Sequence, residues 1–193
     1  MNRLSAVRKR VLTGVFLLAA TPLLAACSSH HQSVADANNS GAYVKAGPVT
    51  YQLEVSRQLN PYASEDSGYL RGLPKSEGSL APDQEWYMVS LWAKNTTQQL
   101  QKTTSRFDVV DTQGNVYKPI IFNNPYIWRS VTLAPGAVEP APNTTAGYGP
   151  TQGAMLIFKI FSSGTKSAYS NRPLTLRIYG NTGKVWATVS LDL

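Results

Sequence analysis

The chain has one cysteine, Cys27, and two histidines, His30 and His31, and neither residue type recurs further along. Cys–His and Ser–His–Asp catalysis are therefore unavailable in the long remainder. Zinc or copper sites built on thiolate and imidazole are excluded there too. With a single cysteine no internal disulfide can form, so the fold must stand on packing alone. Charged residues make up only 15% of the chain, and beyond its first ten residues there is no cluster of Lys and Arg such as nucleic acid calls for. No glycine-rich phosphate cradle of the Walker or Rossmann kind appears, and no convincing amphipathic helix.

What is present begins with an export signal. Arg3, Arg8, Lys9 and Arg10 precede an uncharged stretch over 11–26 that contains Gly14, Thr21 and Pro22. A cationic start, a short apolar run and small residues at its end are the layout of a secretory signal peptide. The run is also shorter than the roughly 20 apolar residues of a spanning helix. It closes on Leu24-Ala25-Ala26-Cys27, which resembles the bacterial lipobox, where the cysteine thiol is acylated and the chain is cut just before it. The expectation is a signal peptide over 1–26 and lipidation at Cys27, which places the protein on the extracytoplasmic face of the cell membrane. Each buried acyl CH₂ would add about 0.8 kcal/mol to that anchorage.

Removing the signal changes the charge balance. Of 18 basic residues four leave with it, and 14 remain against 11 acidic ones, a net charge near +3. Nothing in that value points to nucleic acid.

Residues 27–45 are mostly small and polar and read as a lipidated flexible tether. His30-His31 with Asp36 falls short of the three or four converging ligands of a metal site, so no cofactor is expected. Residues 46–193 have the size of one domain, and their patterning has period two. Val49, Tyr51, Leu53 and Val55 alternate with polar residues, as on a half-buried strand. Residues 86–93 (WYMVSLWA) form a near-continuous apolar run suited to a strand covered on both faces. Residues 107–110, 111–115 and 116–117 read as strand, turn and strand, and 154–161 as another core strand. A hairpin is predicted over 174–191 around Gly180-Asn181-Thr182-Gly183. The reading is all-β: an immunoglobulin-like antiparallel β-sandwich of about seven strands.

Several of these stretches, in this order, resemble the immunoglobulin-like lipoprotein domains of unknown function of Gram-positive bacteria, a group that includes a secreted mycobacterial antigen. They are a strand ending Lys94-Asn95, then Phe107 to Tyr117 with Asp111, Gly114 and Tyr117 at the family positions. Leu133-Ala134-Pro135-Gly136, a core strand from Gly153 to Phe158, and a closing hairpin follow. Val109 stands where the family has Leu, and the segments 60–84 and 137–152 are longer than usual. The resemblance implies the sandwich and supplies no catalytic residues.

Other candidates for chemistry are few. Ser163-Gly164-Thr165-Lys166 is a Ser-x-x-Lys sequence that reads as a turn. Glu65, Asp66, Glu77, Asp83 and Glu85 fall in one loop region without the spacing of a calcium loop. They read as solvated acids with Arg71 and Lys75 as partners rather than a glycosidase pair. Loop aromatics are the stronger signal. Asn60-Pro61-Tyr62 and Asn124-Pro125-Tyr126 repeat a tripeptide, and the second continues Ile127-Trp128-Arg129, residue types enriched at binding hot spots. Tyr62, Tyr126, Trp128 and Arg129 are thus the expected partner-binding residues, unless 126–128 fold down over an open end of the core. The expected function is a non-enzymatic module binding an extracytoplasmic protein or envelope glycan. The alternative is a small-molecule or polysaccharide binder with a Tyr/Trp-lined pocket.

Overall fold

The structure is a computed structural model and describes residues 33–36, 42–161 and 171–191. Cys27, His30, His31 and the Ser163-Gly164-Thr165-Lys166 turn lie outside the described residues. In chain order the elements are β1 (Ser33–Asp36), β2 (Ala42–Ala46), β3 (Val49–Leu59), α1 (Ser64–Tyr69), β4 (Gln84–Asn95), β5 (Gln101–Lys102) and β6 (Phe107–Val110). They continue with β7 (Val116–Tyr117), β8 (Thr132–Leu133), β9 (Val138–Glu139), α2 (Thr145–Tyr148), β10 (Ala154–Phe161), β11 (Leu174–Tyr179) and β12 (Val185–Leu191).

Two sheets form a sandwich. One has the order β1-β12-β11-β6-β7, and the other β10-β4-β3-β2 with β9 added beside β4. Pairing is antiparallel except between β1 and β12. The all-β sandwich that the period-two pattern predicts is the fold observed. Its inner faces interdigitate in the manner the alternation dictates. Tyr87, Val89 and Leu91 of β4 and Leu156, Phe158 and Ile160 of β10 meet Val109, Leu176, Ile178 and Val189 from the opposite sheet. Burying each such side chain contributes about 1.5–3 kcal/mol.

Strand β4 is covered on both faces, as its unbroken apolar run requires. Its other face, with Trp86 and Met88, joins Leu59, Met155 and Ile157 in a second cluster. Tyr69 of α1 and Phe122 and Ile127 of the β7–β8 connection close over it. The same connection straps the free edge of β10. Ile120 N donates to Ile157 O at 2.8 Å, Trp128 N to Met155 O at 2.9 Å, and Met155 N to Tyr126 O at 2.7 Å.

The tether departs from expectation. Residues 42–46 pair with β3, with Val44 and Ala46 buried and Tyr43 and Lys45 exposed. Two apolar residues in alternation are too few to stand out from a polar stretch. Residues 33–36 lie beside β12 through main-chain pairing, which side-chain periodicity does not report.

The two ends of the sandwich are tied differently. At the near end, marked by the 47–48 and 180–184 turns, a Cβ on Gly47 or on Gly180 would stand 2.5 Å or 1.9 Å from the Trp186 ring. The indole is therefore held between the two backbones. At the far end Asn171 Nδ2 donates to Phe161 O at 2.8 Å, and Arg172 pairs with Glu85, both side chains buried.

Candidate functional site

The outer surface of the β10-β4-β3-β2 sheet carries the long loops, and their geometry starts with the repeated tripeptide. Asn60 Oδ1 accepts from Tyr62 N at 3.0 Å, and Asn124 Oδ1 accepts from Tyr126 N at 3.0 Å. The carbonyl of Asn60 also accepts from Ala63 N, and that of Asn124 from Ile127 N. Both tripeptides are thus the same Asx-stabilised turn, a use of Asn-Pro that turn chemistry favours. The second turn also locks the first loop. Asn124 Nδ2 donates to the carbonyls of Gly68, Tyr69 and Arg71 at 3.0–3.1 Å, satisfying the end of α1.

An ion pair fixes the start of α1. Arg57 of β3 grips Asp66 bidentately at 2.6 and 3.0 Å, and Asn60 N donates to the same carboxylate at 2.7 Å. The Arg57 hydrogen bonds, helped by the Asn60 amide, hold the Asp66 carboxyl below its usual range despite burial. Tyr69 donates its hydroxyl to Glu65 at 2.6 Å and stands edge-on to Tyr126 at 4.9 Å. Burial pushes the Tyr69 hydroxyl up from its ordinary value. Thr151 Oγ1 donates to Glu65 Oε1 at 3.3 Å and joins the α2 loop to α1. Thr144 caps α2, and a Cβ on Gly149 would stand 2.7 Å from the Tyr126 ring.

Three loops therefore meet around Tyr126. From this layer Tyr62 projects at 95% exposure and Tyr148 at 77%. Arg129 is exposed as well, 3.4 Å from Asn123 Oδ1. Tyr126 is half-buried, with its ring spent on Tyr69 and Gly149. Trp128 requires a correction. It is 4% exposed, packs against Tyr51 and Phe107 at 5.9 and 5.5 Å, and donates its indole N–H to Thr104 O at 2.9 Å. It is a core residue because alternation along the strap turns Trp128 towards the inter-sheet core and Ile127 towards the outer cluster. The structure thus groups Tyr62 and Tyr126 in one loop layer and removes Trp128 from the surface, and Tyr148 of the other long segment is exposed beside them. The length of the 137–152 segment was the signal for Tyr148.

The acidic loop residues also differ from expectation. Asp66 and Glu85 are buried, and their partners Arg57 and Arg172 come from β3 and from just before β11, whereas Glu77 pairs with Lys159 of β10. Arg71 and Lys75, neighbours in sequence, are not the partners. Two further buried carboxylates are occupied elsewhere. Asp108 takes Arg177 bidentately with the Tyr179 hydroxyl, and Asp111 accepts from Gln113 N, Asn115 N, Asn115 Nδ2 and Tyr117 Oη. No two of these four buried carboxylates share a partner, and no three metal-ligating side chains converge among the described residues.

No family model matches the chain, and neither does any curated protein. Among solved structures it is similar to the yjhA protein of Bacillus subtilis, at 12% identity and a TM-score of 0.49, over 80% of this chain and 99% of that one. It is also similar to a candidate lipoprotein of Bacillus subtilis, ycdA, at 11% identity and a TM-score of 0.46, over 77% of this chain and 37% of that one. The chain thus spans little more than a third of ycdA.

Proposed function

We propose that the protein is a lipid-anchored, non-enzymatic binding module of the immunoglobulin-like lipoprotein group. Cys27 holds it at the extracytoplasmic face of the cell membrane, and the loop layer docks an extracytoplasmic protein or envelope component. The carrying observation is the pairing of a rigid support with exposed tyrosines. Tyr62 and Tyr148 stand out from loops whose backbones are fixed by Asp66–Arg57, Asn124 and Thr151. Recognition residues held on a rigid scaffold lose little entropy on binding. Tyr offers a large amphipathic contact with two rotatable angles. The alternative of a Tyr/Trp-lined pocket loses Trp128 as a lining residue, since that indole is buried.

The test is a pull-down from envelope extract with the mature chain bearing Cys27→Ser, beside its Tyr62→Ala/Tyr148→Ala variant. A partner retained by the first and lost with a still-folded variant supports the reading. Equal retention by both would refute the tyrosine site.

A further inference from the structure

We infer that the near end of the sandwich rests on the anionic headgroups of the bilayer. This orientation rests on the lipidation of Cys27 proposed above, and two independent observations carry it.

The first is the register of β1. Ser33 pairs with Ala187 and Asp36 with Ser190, in parallel, so the chain enters the fold beside the 180–184 turn. Six Cα steps separate Cys27 from Ser33, a reach of at most about 20–22 Å at ~3.3–3.6 Å per residue. The domain therefore hangs by its near end on a short lead. Had β1 been antiparallel to β12, the same lead would have left from the opposite end.

The second is the charge at that end. Lys45 and Lys94 both sit opposite Thr50 in adjacent strand pairs and so project from one face, and both are exposed. Lys184 is exposed in the β11–β12 turn. Arg106 is exposed, its guanidinium 5.5 Å from the Tyr179 ring centre and packed beside Gly183. Lys102 is exposed in the connection from β4 to β6. Against these cations stand half-buried Glu139, opposite Ala93, and Asp108, which Arg177 neutralises. The far end has no such surplus: exposed Lys75 is offset by exposed Asp83, Lys159 pairs with Glu77 and Arg172 with Glu85, and Asp111 is buried. The basic end and the tethered end are the same end. Exposed cations within about a Debye length, roughly 8–10 Å, of an anionic surface are drawn to it.

The experiment uses the mature chain with Cys27→Ser, co-sedimented at low ionic strength with two kinds of vesicle. One is phosphatidylcholine alone, and the other is equal parts phosphatidylcholine and phosphatidylglycerol. Lys45→Gln/Lys94→Gln/Lys184→Gln is compared with Arg71→Gln/Lys75→Gln/Lys118→Gln, which removes the same charge from exposed sites elsewhere. At about fivefold per cation near the surface, the near-end triple should lose on the order of a hundredfold in partitioning to the anionic vesicles. The control triple should lose little. Equal losses, or no preference of the unsubstituted chain for anionic vesicles, would overturn the orientation. The intact mass of native protein extracted from membranes reads the anchor separately. An unlipidated Cys27 overturns the anchor and the orientation together, whereas a lipidated Cys27 with equal losses overturns the orientation alone.

Discussion

Replacing Trp128 separates a surface residue from a core residue. Its indole lies between Tyr51 and Phe107 and satisfies the Thr104 carbonyl. Trp128→Ala removes that ring from a packed interior, at a cost of about 3–5 kcal/mol. For a domain of this size that corresponds to a fall of roughly 6–20 °C in melting temperature, at ~2–4 °C per kcal/mol. Trp128→Phe keeps most of the ring contact but leaves a buried carbonyl without its donor, at about 1–3 kcal/mol. Urea unfolding followed by circular dichroism measures both, and the order Ala worse than Phe is part of the prediction. Tyr62→Ala is the reference. At 95% exposure it should stay within about 0.5 kcal/mol of the parent, as surface substitutions usually do. A Trp128→Ala variant as stable as Tyr62→Ala would refute the core placement and restore Trp128 as a candidate contact.

Other outcomes follow from the buried ion pairs and the glycine contacts. Asp66→Asn weakens the Arg57 clamp. Because the Asp66 carboxyl is held below its usual range, the parent's advantage is complete above the unfolded value of about 3.9 and shrinks as pH falls through the folded one; a pH series of urea midpoints checks it. Arg172→Met strands Glu85 and should cost about 3–5 kcal/mol, part of which Glu85→Leu regains in the double variant. Burial already raises the Glu85 carboxyl and Arg172 restrains that rise, so the Arg172→Met deficit should grow as pH rises through the raised value that Glu85 has in the folded parent. Gly180→Ala drives a methyl into an indole already confined by Gly47 and should cost about 1–3 kcal/mol by thermal melting.

Much of the fold was legible because period two is written in side chains. Residues 107–110 and 116–117 are β6 and β7, the hairpin over 174–191 is β11 and β12, and the two-sided run at 86–93 lies within β4. Asp111 and Asn115, read as turn residues, build that turn. What escaped was set by tertiary contacts. β1 pairs with β12 through the main chain, and the partners of Asp66, Glu77 and Glu85 are cations distant in sequence but adjacent in the sheets. The candidate site was only partly visible. The Asn-Pro-Tyr repeat marked real turns, but which of their aromatics face water depends on how each loop returns to the sheet. For Trp128 the sequence left both a surface contact and a fold-down over the core open, and the structure takes the second.

The strap along β10 also bears on behaviour in a crowd. A bare strand margin offers a row of N–H and C=O groups to any neighbour. By pairing with Met155 and Ile157, the 120–128 segment takes those groups out of circulation. On the opposite margin, Lys45 stands exposed on β2, a charge that discourages edge-to-edge stacking. The sheet is thus protected from self-templating along both sides, by a covering segment on one and by charge on the other.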